Sequence, residues 1–271
     1  MRILIIGAGS IGDVLAKAAE DMLEVEEILV ADKNEERARS RAKAYAKGRY
    51  TPFGEKEIIK AMKEVQLVVE AGSQAAAKQF APMSLELGRD IMVMSVGAFS
   101  DDEFRERCFA LARSKGGRLY IPAGAVCGTD GLRSAQGRID EVKLITTKGP
   151  RGFLDNPYLA EKGIDPTKLT EPTVLFEGSA RDAVRLFPRN VNVAATVSLL
   201  SLGFDTTSVR LICDPGAEVN SHVIVAKGAF GELKAEIQNV PFPSNPATSY
   251  LAALSAVAAL KSIATNVWIG V

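Results

Sequence analysis

Near its N-terminus the sequence has a short apolar run that leads into a glycine-rich turn: Ile3–Asp13 reads ILIIGAGSIGD. Consecutive aliphatic residues before a glycine are typical of a buried parallel strand. Glycines then occupy the first, third and sixth positions of the turn, as Gly7, Gly9 and Gly12. This spacing permits a tight turn, a close approach of backbone to a pyrophosphate, and close packing of helix on strand. The stretch therefore predicts a strand, turn and helix that bind a dinucleotide.

The residues around this turn provide the candidate cofactor contacts. We expect Ser10 and Ile11 to join the three glycines in presenting backbone to the phosphates at the start of the helix. Asp32 ends the second predicted strand, about 20 residues after Gly12. A carboxylate at that place accepts hydrogen bonds from the adenine ribose hydroxyls, which favours NAD as the cofactor.

Basic residues directly after Asp32 keep NADP open as the alternative cofactor. They are Lys33, Arg37 and Arg39. If the carboxylate turned aside, these cations could pair with a 2′-phosphate, although a solvated basic helix face is the more common explanation of such residues.

Apolar runs bounded by glycine or charge recur through the first part of the chain. The runs are Ile3–Ile6, Ile28–Ala31, Leu67–Glu70, Ile91–Ser95 and Leu119–Ile121. Helical spacing of apolar residues marks the stretches between them, Asp13–Ala19, Glu35–Ala46, Glu55–Lys63, Ala75–Leu87 and Asp101–Ser114, and Ser100–Glu103 fits a capping box for the last. The alternation predicts a doubly wound parallel sheet of the Rossmann type over residues 1–123.

Beyond residue 123 the pattern changes to strands without room for crossover helices. The later runs are Val142–Thr147, Ser208–Ile212, His222–Ala226 and Leu233–Val240. They predict an α+β domain over residues 124–245 with a mostly antiparallel sheet. A helix within residues 246–271 is expected to return to the first domain, so that the chain as a whole is of the α/β class.

Composition excludes several classes of protein. The 33 Lys and Arg residues balance 33 Asp and Glu, which argues against nucleic acid as a partner and favours a small-molecule ligand. The initial apolar run is too short for a signal peptide or a membrane span, so we expect a cytoplasmic protein. Free thiols are expected at Cys108, Cys127 and Cys213, which show no paired spacing. No metal-ligand motif is present.

The chain has a single histidine, His222, in a predicted strand of the second domain. A lone histidine in a strand is more often structural than catalytic. However, imidazole is the one side chain that ordinarily titrates near neutrality, with a pKa of about 6.5. We therefore take His222 as the candidate catalytic acid and base, with its titration expected near that value.

Segments along nearly the whole chain carry a resemblance to a known family. They are Gly7–Gly12, Val68–Ala71, Met94–Phe99, Pro122–Ala125, Phe187–Thr196, His222–Ile224 and Asn245–Leu251. Together they resemble L-aspartate dehydrogenase, with a departure at Val126–Gly131. The resemblance implies NAD(P)-dependent oxidative deamination of L-aspartate, through iminoaspartate, to oxaloacetate and ammonia. It also implies a homodimer and a place in NAD biosynthesis.

The same resemblance implies residue roles. His222 matches the family's active-site residue, and Ala125 and Asn192 match positions at the nicotinamide end of the cofactor. For Asn192 a simple helix N-cap remains the alternative. The two substrate carboxylates need partners. Lys148, Arg151 and Arg189 are candidates, although a surface charge is the more common explanation of each.

Two other interpretations stay open at this point. One is a related oxidoreductase that resembles dihydrodipicolinate reductase or homoserine dehydrogenase, for which a catalytic lysine in the second domain is expected. The other is a non-catalytic redox sensor that binds NAD.

Overall fold

The computed structural model describes residues 1–188, 192–242 and 245–270, with backbone alone at 245–248. The chain divides into two compact units. The first consists of Met1–Pro122 and Ala253–Ile269, and the second is built on Ala123–Ala252.

The first unit contains a six-stranded, fully parallel sheet. Its strands are β1 (Arg2–Ile6), β2 (Glu27–Ala31), β3 (Gly48–Tyr50), β4 (Leu67–Glu70), β5 (Asp90–Val93) and β6 (Leu119–Tyr120). They lie in the order β3-β2-β1-β4-β5-β6, so the sheet order reverses beside β1. In open sheets of this kind, ligands bind where the order reverses, at the carboxyl ends of the strands. The predicted Rossmann-type fold is confirmed.

Helices alternate with these strands, and they begin close to where the sequence predicts. They are α1 (Ser10–Asp21), α2 (Glu35–Lys43), α3 (Glu55–Glu64), α4 (Gln74–Glu86) and α5 (Asp102–Lys115). Residues Ile3–Ile6 of β1 are at most 1% exposed, because helices cover both faces of the sheet.

Two local features of the first unit differ from prediction. The short strand β3 has only three residues and little apolar character, so periodicity did not reveal it. The cap of α5 lies at Asp101, whose side chain accepts a hydrogen bond from the Phe104 amide. Ser100, the first residue of the predicted capping box, instead donates its hydroxyl to the carbonyl of Gly97 at 2.8 Å.

The second unit contains a five-stranded mixed sheet. Its strands are β7 (Ile139–Lys148), β8 (Thr173–Ser179), β9 (Ser208–Cys213), β10 (Asn220–Gly228) and β11 (Gly231–Asn239). The order is β11-β10-β7-β9-β8. All neighbouring pairs are antiparallel except β7 and β9, which are parallel, so the predicted mostly antiparallel sheet is confirmed.

Shorter elements complete the second unit. They are α6 (Thr129–Ser134), α7 (Pro157–Glu161), α8 (Ala180–Leu186), α9 (Asn192–Leu199), and the small strand pair β12 (Pro241–Phe242) and β13 (Asn245–Ser249). A 3-10 turn, Pro150–Phe153, directly follows β7. Strand β8 and helix α8 were not anticipated from the sequence.

The final helix, α10 (Tyr250–Thr265), begins after β13. Ala256 and Leu260 of this helix belong to the apolar core of the first unit, and Trp268 stacks on Tyr120 with ring centroids 5.7 Å apart. Within the described residues, no helix combines the length and apolar character that a membrane crossing requires.

Candidate functional site

The glycine turn between β1 and α1 has the close packing that its spacing predicts. Gly7 has φ of 110°, and its amide donates to the carbonyl of Ala31 at 2.8 Å. A Cβ at Gly12 would lie 1.9 Å from the Gly7 oxygen. A Cβ at Gly9 would meet no heavy atom within 4 Å. Glycine is thus needed at position 7 by its positive φ and at position 12 by the nearby backbone oxygen, whereas Gly9 borders open space that a ligand can occupy.

The first turn of α1 follows directly. Ser10 and Ile11 are its first residues, both partly buried. Gly9 occupies the cap position and provides no side-chain hydrogen bond to the helix. A helix N-terminus of this kind favours an anion, because its backbone amides and its dipole present positive charge. These residues fit the pyrophosphate of a dinucleotide.

Asp32 is fixed beside this turn. Its two carboxylate oxygens accept from the amides of Ala8 and Asn34, each at 2.7 Å. The side chain is 13% exposed, and a guanidinium nitrogen of Arg37 lies 3.9 Å from one oxygen. The carboxylate is therefore held at the glycine turn, which suits a ribose acceptor.

The basic residues after Asp32 lie in different surroundings. Arg39 pairs with Glu35 at 2.6 Å between guanidinium and carboxylate, and it lies over the ring of Tyr50 at 3.9 Å from the centroid. Lys33 is exposed. A 2′-phosphate would have to compete with Glu35 for Arg39 and would meet the charge of Asp32.

Glu70, at the end of β4, is a residue whose role the sequence analysis missed. It is fully buried, and its carboxylate accepts from the amides of Gly72 and Ser73 and from both the amide and the hydroxyl of Ser95, at 2.8–3.0 Å. Burial raises its pKa, while these hydrogen bonds oppose the rise. Glu70 thus links the carboxyl ends of β4 and β5, at the edge of the sheet where a ligand is expected. In the sequence, the acid at the end of an apolar strand could have marked this residue as one with a specific role.

In the second unit, one end of the sheet's inner face carries a group of buried polar side chains. Each is at most 5% exposed. Ser249 of β13, which Asn220 contacts, adjoins this group. We call the whole the buried polar patch, and its members are Thr146, Lys148, Asn220, His222, Asn239 and Ser249. Further along the same face the side chains are apolar, as at Leu144 and Ile224. Burying so many polar groups together is costly unless they bond to each other or to a ligand.

His222 lies within the patch, directly opposite Thr146 in the pairing of β10 with β7. Its Nδ1 lies 2.9 Å from the Thr146 hydroxyl oxygen. Its Nε2 is buried and has no hydrogen-bond partner within the part of the chain that the structure describes. One ring nitrogen is thus oriented by the protein, and the other is left for a ligand or a reacting group.

Burial and a neighbouring cation set the protonation of this imidazole. Burial, and after it the charge of Lys148, lowers the pKa of His222 to about 3. The expectation of an ordinary value near 6.5 is therefore wrong for the free protein, because sequence reveals neither the burial nor the cation. Burial also lowers the pKa of Lys148 to about 8.

The asparagine side chains of the buried polar patch bond to neighbouring segments of the second unit. Asn220 lies opposite Asn239 in the pairing of β10 with β11, and it donates to the Ser249 hydroxyl at 3.3 Å. Asn239 donates to the carbonyl of Ala125 at 2.8 Å. The predicted cofactor residue Ala125 is thereby connected to the strands that carry His222.

The other predicted residues lie in different surroundings. Asn192 is exposed and is itself the first helical residue of α9, so the cap position precedes it, outside the described residues. Arg151 is exposed, and Arg189 lies outside the described residues. Lys148, for which a surface location was an alternative, is buried. Among the described residues no cluster of three or more acidic, histidine or cysteine side chains could hold a metal ion.

A Rossmann-type unit with this turn and acid, followed by a mixed sheet, is typical of oxidoreductases that use a pyridine nucleotide. Residues 6–122 match the model for the NAD-binding domain of homoserine dehydrogenase, and residues 130–263 match that for the C-terminal part of aspartate dehydrogenase. L-aspartate dehydrogenase of Methanosarcina mazei is 43% identical over 272 residues, which cover 100% of this chain and 99% of the relative. The enzyme of that name from Methanothermobacter thermautotrophicus is 38% identical, with 100% and 98% covered. The chain belongs to the L-aspartate dehydrogenase family.

Solved structures agree with this assignment. The aspartate dehydrogenase of Thermotoga maritima superimposes with a TM-score of 0.76 at 29% identity, covering 99% of each chain. A dihydrodipicolinate reductase from Paenisporosarcina superimposes with a TM-score of 0.51 at 14% identity, which shows a shared fold alone. The resemblance drawn from the sequence motifs is confirmed, and the alternative of a redox sensor loses its support.

Proposed function

We propose that this protein oxidatively deaminates L-aspartate with a pyridine nucleotide and releases oxaloacetate and ammonia. The observation that carries the proposal is the buried imidazole of His222, with one nitrogen held by Thr146 and the other unpartnered among the described residues, in a chain of this family. A bound pyridine nucleotide would supply the acceptor for a hydride from the substrate Cα, and the amine, with loss of protons, would become an imine.

The residues of the buried polar patch supply the acid–base chemistry that follows. A neutral imidazole can take a proton from the water that attacks the imine carbon, and it can return a proton to the departing ammonia. The hydrogen bond to Thr146 fixes the ring orientation. The low pKa of His222 keeps the ring neutral and therefore able to act as a base at the start of this step.

We propose NAD as the preferred cofactor. The pyrophosphate would lie against the backbone of the glycine turn, at Gly7, Gly9, Ser10, Ile11 and Gly12. Asp32 would accept hydrogen bonds from the hydroxyls of the adenine ribose. The carboxylate held at the turn by the amides of Ala8 and Asn34 supports this choice, since it would repel a 2′-phosphate. Ala125 and Asn192 are proposed for the nicotinamide end, as the family resemblance implies.

The second unit is proposed as the substrate and dimerisation domain. The outer face of its sheet carries partly exposed apolar residues, including Ile145, Ile212 and Val223. Such a face suits a second copy of the chain in a homodimer. We also propose a reducing compartment such as the cytoplasm, because Cys108, Cys127 and Cys213 are all free.

The test is a spectrophotometric comparison of amino acids with NAD and with NADP, following the absorbance of the reduced nicotinamide. L-Aspartate should reduce NAD, whereas L-glutamate, L-alanine and L-homoserine should not. Equal rates with several amino acids would remove the substrate assignment, and faster reduction of NADP would remove the cofactor preference.

A further inference from the structure

Lys148 lies next to the catalytic candidate because of strand geometry. Thr146 and Lys148 are two residues apart on β7, so their side chains point to the same face of the sheet. His222 is directly opposite Thr146, which makes Lys148 its diagonal neighbour, within reach of a long side chain. The charge of Lys148 contributes to the low pKa of His222, which agrees with this proximity.

The surroundings of Lys148 are unusual for a lysine. The residue is 5% exposed, and it lies opposite Cys213 of β9 on a face that it shares with Thr146. Its stem packs on the backbone of the following 3-10 turn: a Cβ at Gly152 would lie 3.1 Å from both Cβ and Cδ of Lys148. Removing an ammonium from water is costly, and a lysine cation beside a second group that can carry positive charge creates surroundings that favour an anion.

We propose that the ammonium of Lys148 binds one carboxylate of the dicarboxylate substrate and so holds the reacting carbon beside the imidazole of His222. This inference rests on the proposed function, because it assigns the substrate contact of that reaction. A carboxylate is the partner that a buried lysine cation accepts most readily, through a charge-assisted hydrogen bond. L-Aspartate has two carboxylates, and the one on its side chain must be recognised to separate it from neutral amino acids.

Binding at this position also changes the imidazole. In the free protein the charge of Lys148 disfavours a second positive charge on His222. A substrate carboxylate neutralises that charge, and the imidazole then accepts a proton more readily. Burial is the larger cause of the low pKa of His222, and the smaller one, the charge of Lys148, is offset when the substrate carboxylate is bound.

The experiment compares Lys148→Met and Lys148→Arg with a matched control, Lys143→Met. Lys143 lies on the same strand but is partly exposed on the outer face, where it pairs with Glu177 at 3.3 Å. Methionine matches the length of the lysine stem without its charge, so the fold should persist. For each purified full-length variant we measure KM and kcat for L-aspartate, and the dissociation constant of succinate, an unreactive dicarboxylate, by calorimetry with NADH present.

We expect Lys148→Met to raise KM and the succinate dissociation constant together, by about 10- to 100-fold, as loss of a charge-assisted contact implies. Lys148→Arg should recover part of the succinate affinity, and Lys143→Met should stay within about twofold of the wild type. Unchanged succinate affinity in Lys148→Met would overturn the inference, as would a loss confined to kcat. A wild-type protein that binds succinate through Lys148 but does not oxidise L-aspartate would instead overturn the proposed function.

Discussion

The glycine turn of the first unit and the buried polar patch of the second are assembled in different ways. Gly7, Gly9 and Gly12 are near neighbours in the chain, and their role follows from backbone geometry. His222 and Thr146 are 76 residues apart, and only the register of β10 against β7 brings them together. The proposed cofactor site therefore lies in one local motif of the chain, whereas the proposed catalytic site depends on the pairing of distant strands.

We expect the largest effect on activity from removal of the His222 imidazole. Because general acid–base assistance contributes typically about 10²- to 10⁴-fold, His222→Asn should lower kcat by that order. Asparagine is of similar size and can still meet Thr146, so a loss of packing should contribute little. Steady-state rates and the melting temperature are measured together, and a folded variant that retains more than about a third of wild-type kcat would make His222 structural.

Two glycines of the same turn provide a second contrast. In Gly12→Ala the new methyl group would overlap the Gly7 carbonyl, so we expect a loss of about 1–3 kcal/mol in the free energy of unfolding. Gly9→Ala has room for its methyl group and should melt near the wild-type temperature, but it should bind NADH more weakly. Denaturant unfolding and NADH titration measure both effects. Equal stability of the two variants would contradict the assigned packing.

A substitution of Asp32 tests the preference for NAD over NADP. Asp32→Ala removes a ribose acceptor and a charge that repels a 2′-phosphate, so the ratio of kcat/KM for NAD to that for NADP should fall by about 10-fold. Glu36→Ala, which removes an exposed acid early in α2, is the control. If both variants kept the wild-type ratio, Asp32 would have no part in cofactor choice.

The smallest expected effect concerns acid stability. His222 has a folded pKa of about 3, below its ordinary value of 6.5, so between these pH values the unfolded chain binds more protons than the folded protein. This group therefore lowers stability progressively as the pH falls below 6.5, and its effect is absent above that pH. From pH 7.5 to pH 5 the melting temperature should fall further for the wild type than for His222→Asn. Parallel decreases would show that the imidazole is not buried in its neutral form.

Sequence patterns predicted the parts of the molecule that are local in the chain. The turn at Gly7–Gly12, the position of Asp32 and the buried strands β1 and β4 follow from spacing and apolar runs. Strand β8 did not, because it is only partly buried and lacks a clear alternation. His222 was a candidate because it is the single histidine. The burial of Lys148 beside it depends on the register of β10 against β7 and on the contact of the lysine stem with Gly152, and neither can be read from the sequence of one strand.

We propose that the first unit holds the dinucleotide and that the buried polar patch around His222 performs the proton transfers. Titration of NADH into the folded His222→Asn variant, followed by nicotinamide fluorescence, tests that division most directly. We predict a dissociation constant within about twofold of the wild-type value in a protein whose kcat has fallen by the order given above. A loss of NADH affinity as large as the loss of kcat would contradict the claim, because His222 would then act through cofactor binding instead of through proton transfer.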